Sequence, residues 1–463
     1  MEPATEDGRD WSGLPEDLVV NFLREMHVAD AVRSGAVCTS WHAAYAALRL
    51  LRVQSSTRQP PCLLYASDAL GPGAAALHCP ATGATLQVPF TLPPLPRRPL
   101  LGSGHGWLVT ADEKSNLHIL NPVTGDQIAL PPITAMHHVK MGTDEKGDPA
   151  YNVYENLPGD KFNDVEGRYE VDTEPTILDI DDAHEFMYDR VVLSASPSAG
   201  RACVVLLLHM PLGEVSFARL GDDRWTWVAP RKGSFARLGD GRWTWVLAPG
   251  KATGLPWRYG YCDAMYSAAH GLFYLLQNDA SMCSLDLSGP SPVACEVFNS
   301  VPKSGIPTTK YLLQTPAGDI LQVWRYRDDV VSLLPVDIPS YYMDVEGDQD
   351  PYLELNTVDL QIYKVDFPGQ RLELIKSLPD YALFLGLNDS MCLSVKDFPG
   401  LKTNSAYISD DFFEYVNCRK YNRREVGIWS MAEQGMSKLV DVSPIIYPWL
   451  TWPSPIWTQP SIF

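Results

Sequence analysis

Several things are scarce in this chain of 463 residues, and each scarcity closes off a class of function. Basic clusters are missing: 37 Lys and Arg stand against 56 Asp and Glu, a formal charge of −19, so binding to a phosphate backbone is disfavoured. Long apolar runs are missing too. The longest strongly apolar stretch, Ala202 to Leu208, is far below a bilayer span. The N-terminus, MEPATEDGRDW, has neither the basic start nor the apolar stretch of a signal peptide. A soluble chain is expected, cytoplasmic or nuclear or both, with neither nucleic acid nor membrane as a partner. The nine cysteines include no CxxC pair, which argues for reduced thiols and against a zinc knuckle or a disulfide frame.

Catalytic signatures are also lacking. There is no GxSxG, Walker loop, HExxH or GxGxxG, and Gly102-Ser-Gly104-His-Gly106 stops one glycine short of the dinucleotide pattern. No catalytic residue, cofactor or metal is therefore expected, and the chain reads as a non-enzyme. His137 and His138 are adjacent, so on a strand they would point to opposite sides, which argues against joint ligation. His105 and His270 each precede a glycine and an apolar run, as recurring turn residues would.

What the chain does have is 45% hydrophobic and 10% aromatic residues, enough for a sizeable core, punctuated throughout by 38 Pro and 33 Gly. Residues 11–50 differ from the rest. Leu14, Leu18, Val19, Phe22, Leu23 and Met26 recur at helical spacing, with Pro15 suited to a first helical position and Glu16 and Asp17 favoured by the helix dipole. Asp30 suits the cap of a second short helix ended by Gly35, and Val37, Trp41, Tyr45 and Leu48 stripe a third. Three helices in forty residues cannot bury all of that apolar surface among themselves. A covering partner is expected, inside this chain or outside it.

From about Cys62 onward, short β-type runs alternate with turn residues, as at His118–Leu120, Asn121 to Gly125 and Gln127–Leu130, and again over 282–298, 309–324, 358–377 and 426–442. Some 400 residues of hairpins cannot form one open twisted sheet, so sandwich pairs or a closed propeller are the solutions. With blades of about 40 to 45 residues, roughly six or seven would fit. The fold class expected is mainly β: a three-helix module over 11–50, then a propeller over 60–463.

Two insertions interrupt that plan. SFARLGDDRWTWV at 216–228 returns as SFARLGDGRWTWV at 234–246, and its period of 18 is too short for a blade. One copy is expected in the sheet and the other extruded as an extra hairpin. Residues 144–189 hold fifteen Asp or Glu against three Lys or Arg, a composition typical of a solvated loop. The Asp179-Ile-Asp181-Asp182 run lacks the glycine and the terminal glutamate of an EF-hand. The tail YPWLTWPSPIWTQP places Trp449, Trp452 and Trp457 among prolines, and large rings of this kind are expected to pack on the propeller and close its last blade.

These residues carry a resemblance. WSGLPEDLVVNFLREMHVADAVRSGAVCTSWHAAY, over 11–45, resembles the F-box: Leu-Pro ahead of an acidic-Leu helix, a central Asp-x-x-Arg, and Val-Cys-x-x-Trp in the third helix. It departs at His42, where Arg or Lys is usual. The remainder resembles the plant domain-of-unknown-function-295 β-propeller region. That likeness rests on HGWLVTADE (105–113), NPVTGDQIALPP (121–132), FARLGDDRWTW (217–227), GDILQVWR (318–325), IYKVDF (362–367), LFLGLNDSMCLS (383–394) and YISDD (407–411). That family carries the FARxGDxxWTW segment once, so the second copy is this chain's own departure.

The resemblance implies docking on the Skp-family adaptor of a cullin-RING (SCF-type) ubiquitin ligase, with the propeller presenting a protein substrate. Docking would be carried by Leu14, Pro15, Leu18, Phe22, Leu23, Val32, Val37, Cys38 and Trp41. The competing expectation is a ligase-independent interaction scaffold, in which the helices simply pack on the propeller.

Overall fold

The computed structural model describes residues 11–51, 59–71, 73–90, 98–154, 162–163, 168–169, 174–210, 213–229, 234–237, 243–246, 255, 260–299, 309–340, 349–412, 414–439 and 453–462. Three helices open it: α1 (Glu16–Arg24), α2 (Val28–Gly35) and α3 (Thr39–Leu50). Pro15 caps α1 from outside the helix, and Glu16 and Asp17 fill its first turn. The second helix starts two residues before Asp30, capped by His27. Asp30 sits inside the first turn, 3.4 Å from Arg33, because the apolar Val28 and Ala31 are drawn together into the core of the module. Gly35 ends α2 where nothing larger fits. A Cβ there would lie 2.8 Å from the ring of Tyr45 on α3.

Most of the rest is antiparallel sheet. Sheet one is Thr85–Pro89, Ala74–His78, Cys62–Tyr65 and Ile456–Thr458, so the C-terminal strand pairs with the first strand of the β-region, Leu63 opposite Trp457. Sheet two runs Leu100–Gly104, Trp107–Ala111, Leu117–Leu120 and Gln127–Ala129; sheet three, Tyr188–Leu193, Val204–His209, Glu214–Arg219 and Thr226–Trp227. Sheet four comprises Tyr261–Ser267, Leu272–Gln277, Met282–Asp286 and Val293–Phe298. Sheet five comprises Thr309–Gln314, Ile320–Val331, Leu353–Asp366 and Arg371–Ile375. Sheet six has five strands: Met391–Ser394, Tyr381–Leu385, Ser405–Ile408, Gly427–Ser430 and Gly435–Lys438. It departs from the hairpin pattern, since Tyr381–Leu385 and Ser405–Ile408 pair in parallel.

The sheets neighbour one another in a ring. Leu100–Gly104 abuts Tyr188–Leu193, which abuts Tyr261–Ser267, which abuts Thr309–Gln314; Met391–Ser394 follows, and Ile456–Thr458 returns to Leu100–Gly104. Sheets six and one meet through Phe384, Tyr407, Leu63 and the fully buried Trp457, whose ring stands edge-on to Phe384 and Tyr407 at 5.1 and 5.9 Å. Trp449 and Trp452 lie outside the described residues.

The acidic stretch is not all loop. Val139–Thr143, Pro149–Val153 and Thr176–Asp179 form a three-stranded sheet, whose Val139, Tyr151 and Val153 join the core shared by sheets two and three. The two tryptophan-rich copies part company. The first supplies the third and fourth strands of sheet three, with Ser216 opposite Trp227. The second pairs with itself as a separate two-stranded hairpin, with Ser234 opposite Val246, one residue out of the first copy's register. None of the nine cysteines is in a disulfide. No helix among the described residues is long and apolar enough to cross a membrane.

Candidate docking surface

Each amphipathic helix has one face to bury, and the module buries it in two directions. Val19, Leu23, Val28, Ala31, Ala44 and Leu48 form its core, and the chain's own Ile462 is buried among them. Leu23, 1% exposed, is therefore a core residue, which corrects its expected place on the docking face. Polar contacts fix the module on the sheets: the Arg33 guanidinium donates to the Thr85 carbonyl at 3.1 Å, Arg49 pairs with Asp126 at 3.2 Å, and the Val28 amide donates to Gln59 at 2.8 Å.

The other expected docking residues remain open to solvent to varying degrees. Phe22 is 49% exposed and Val37 73%; Pro15 and Leu18 are exposed; Leu14, Val32, Cys38 and Trp41 are half-buried. Trp41 donates its indole N–H to the Trp11 carbonyl at 3.1 Å, which pins the ring at the module's edge. Leu18 and Phe22 follow each other at i, i+4 spacing on α1, so their apolar surface is continuous. A second exposed apolar group, Val330, Val331, Leu333 and Leu334, stands where the two longest strands of the ring, in sheet five, run beyond their neighbours.

Sequence reading missed what lies at the centre of the ring. Arg190 of sheet three pairs with Asp263 of sheet four at 2.8 Å and donates to the Gly386 and Asn388 carbonyls beyond Tyr381–Leu385 of sheet six. Asp263 accepts from the Leu312 amide of sheet five at 2.7 Å. The Asp389 amide donates to the Ser103 carbonyl of sheet two at 2.8 Å, and the Ser103 hydroxyl donates to the Trp457 carbonyl of sheet one. One chain of polar contacts thus touches all six sheets. Burial pushes the Asp389 carboxyl up to about 8, against the pull of Arg190. Burial also raises Asp263, again opposed by Arg190.

A second buried set joins sheets five and six. Arg325, fully buried, donates to Thr357 at 2.8 Å, to Tyr311 and the Ser409 carbonyl at 3.1 Å, and pairs with Asp411 at 3.2 Å and Glu425 at 2.5 Å. Arg327 pairs with the same Asp411. A buried charge is tolerated only when paired and fully hydrogen-bonded, and these arginines spend their donors inside the protein. Their signal in the sequence is faint: ionisable residues inside otherwise apolar strands, as in LQVWR at 321–325.

The histidine pair also differs from expectation. His137 and His138 lie in the turn between the short helix Ile133–Ala135 and the strand Val139–Thr143, not on a strand, so alternation does not separate them. Their ring centroids are 4.5 Å apart and their Nδ1 atoms 3.3 Å. His105 and His270 sit in the first turns of sheets two and four, at separate places in the ring. His105 has a positive φ of 52° and is followed by Gly106, where a Cβ would fall 2.5 Å from the Gln459 carbonyl, so the tail packs directly on this turn.

The family comparison matches residues 77–430, which span most of these sheets, to the KIB1-4 β-propeller. The chain belongs to that family. No curated protein matches it. Solved structures similar to it include a protein of unknown function from Bacteroides thetaiotaomicron (9% identity, TM-score 0.22), where the match covers 58% of this chain and only 55% of that one. Others are the Cps50 (Swd1) β-propeller domain of Myceliophteria thermophila (9% identity, TM-score 0.24, covering 81% of this chain and 98% of that one) and a Lactobacillus plantarum protein (10% identity, TM-score 0.24, 86% and 98%). In this KIB1-4 propeller, the polar centre ties the sheets together, and two groups of exposed apolar residues lie on the helices and on the long hairpin. That division suits protein interaction.

Proposed function

We propose that the protein is the substrate-recognition subunit of an SCF-type cullin-RING ubiquitin ligase, acting in the cytoplasm, the nucleus or both. Its F-box binds the Skp-family adaptor and its propeller, counted as six blades, binds a protein substrate. One observation carries this reading. The helices already use one face on Ile462 and the sheets, and yet Leu18, Phe22 and Val37 are left uncovered beside Leu14, Pro15 and Trp41. Covering such a row with a partner recovers roughly 25 cal/mol for each Å² of apolar surface. The work done is proximity: a bound substrate lysine near a charged conjugating enzyme reacts as if intramolecular. No residue of this chain performs covalent chemistry in that scheme, in keeping with the buried arginines being committed to internal partners.

Recovery of the adaptor on immobilised full-length protein tests the proposal. Phe22→Ala and Trp41→Ala are expected to reduce recovery strongly; equal recovery with all three proteins would defeat it. The alternative, a ligase-independent scaffold, draws on the contacts of Arg33, Arg49 and Ile462, which make the module an integral part of the propeller's flank. Under that alternative, removing residues 11–51 destabilises the propeller and the adaptor is not bound by either form.

A further inference from the structure

We propose that His137, His138 and Glu214 form a zinc site that clamps the excursion beyond sheet two onto sheet three. A ring nitrogen from each histidine and a carboxylate oxygen of Glu214 all lie within 4.8 Å of one another. His137 Nε2 is 3.3 Å from Glu214 Oε2. Donors on a tetrahedral zinc, at about 2.0–2.1 Å from the metal, stand about 3.3–3.4 Å apart, so that pair already spans one tetrahedral edge. Small side-chain rotations bring in the third ligand.

The surroundings favour a metal over a simple ion pair. His138 is 1% exposed and its Nε2 finds no hydrogen-bond partner among the described residues. Both rings are held in plane: Trp227 stacks on His137 at 4.0 Å and 13°, and His209 stacks on His138 at 5.0 Å and 10°. His209 itself is committed, with Nδ1 2.6 Å from the Met210 carbonyl and Nε2 2.9 Å from the Ser216 hydroxyl, so it buttresses the site and does not ligate. His137 reaches solvent and gives the ion its way in. Two imidazoles with one carboxylate suit zinc better than calcium or magnesium, which favour all-oxygen shells, and three protein donors leave a fourth position for water. The site shares no residue with the helical module, so its outcome is independent of the ligase proposal.

The experiment uses the full chain, stripped with chelator and titrated with Zn2+ in competition with a chromophoric chelator, then with Co2+. One tightly held equivalent is expected, with the visible bands of four-coordinate nitrogen and oxygen ligation, and a rise in melting temperature on zinc addition. Glu214→Gln and His137→Asn are expected to abolish that equivalent. Should the buried Glu214→Gln fail to fold by circular dichroism, the exposed His137→Asn carries the test alone. The proposal is overturned if the wild type retains no zinc, if His137→Asn retains it, or if Co2+ shows a sulfur-to-metal charge-transfer band, which would place the ion on the cysteines.

Discussion

Phe22 and Leu23 are neighbours on α1 with opposite fates, and truncating each in turn separates docking from folding. Leu23 is 1% exposed among Val19, Val28, Ala44, Leu48 and Ile462, so Leu23→Ala removes buried methyls and leaves a cavity, a cost of about 2–5 kcal/mol. Phe22 keeps about half of its surface in water. Fully burying a phenylalanine contributes about 1.5–3 kcal/mol, so Phe22→Ala is expected to cost the folded chain about 1 kcal/mol or less. The uncovered half is what an adaptor would bury, and a central aromatic anchor typically contributes about 2 kcal/mol or more, roughly thirty-fold in Kd. The assay is paired: isothermal titration with purified Skp-family adaptor, and denaturant unfolding of the free protein. Phe22→Ala should lose about thirty-fold in affinity with its unfolding midpoint nearly kept. Leu23→Ala should lose stability first. The reasoning fails if Phe22→Ala binds the adaptor as well as the wild type, or if it destabilises as much as Leu23→Ala, since its ring would then be serving the fold alone.

Three more outcomes follow from the ring. Trp457→Ala empties the seam between sheets six and one and is expected to cost about 3–5 kcal/mol, read from chemical denaturation; a loss under about 1 kcal/mol would mean the terminal strand does not close the ring. With burial pushing Asp389 up to about 8, the folded chain holds a proton that an unfolded carboxyl, near about 4, gives up. The stability this group lends is therefore full below about pH 4 and is lost as the pH climbs through about 8, so Asp389→Asn should gain on the wild type between pH 5 and pH 8. A constant offset between the two denaturation midpoints across that range would refute the assignment. Finally, the Leu255 amide donates to the Ala229 carbonyl at 3.1 Å, so the ends of the duplicated segment already meet. Replacing residues 230–254 with two glycines should leave the melting temperature unchanged or slightly raised, because shortening a loop lowers its closure entropy; a marked fall would show the second copy supporting sheet three.

Local pattern was enough to reveal the elements and not the contacts between them. The hairpin around Asn121 to Gly125 was legible because a turn signal sits between two alternating strands, and the observed Leu117–Leu120 and Gln127–Ala129 fall there. The module's helices were legible from apolar spacing, though α2 begins two residues early because core packing of Val28 outweighs the capping preference of Asp30. The parallel pair in sheet six had no local signature. Pairing between Tyr381–Leu385 and Ser405–Ile408 is decided by which edge is free when the ring closes, a property of the whole chain. The histidines show the same limit from the side of chemistry. Strand alternation would separate His137 from His138, but the turn brings their rings together, and their carboxylate partner, Glu214, lies more than seventy residues further on. Leu23 was misplaced because a helix stripe wider than the core looks uniform until its partner, Ile462 at the far end of the chain, is known.

That distant partner links the two halves of the proposed role. The segment that ends the chain first completes sheet one as Ile456–Thr458, then crosses the turn at Gly106, where the Asn121 side chain donates to the Ser461 carbonyl at 3.0 Å, and finally buries Ile462 among the helices. Closure of the ring and seating of the helical module are therefore made by the same seven residues. A module hung on a flexible tether would present a substrate at an effective concentration diluted over the tether's reach. One seated by Ile462, Arg33 and Arg49 holds a fixed direction relative to the propeller, so substrate lysines within a narrow zone would be favoured and others neglected. Ile462→Ala should thus widen the set of lysines modified on a given substrate before it abolishes adaptor binding, because the face bearing Phe22 and Val37 does not include Ile462. Ubiquitination-site mapping by mass spectrometry would show it, and an unchanged site pattern with a loosened module would break the connection drawn between seating and selectivity.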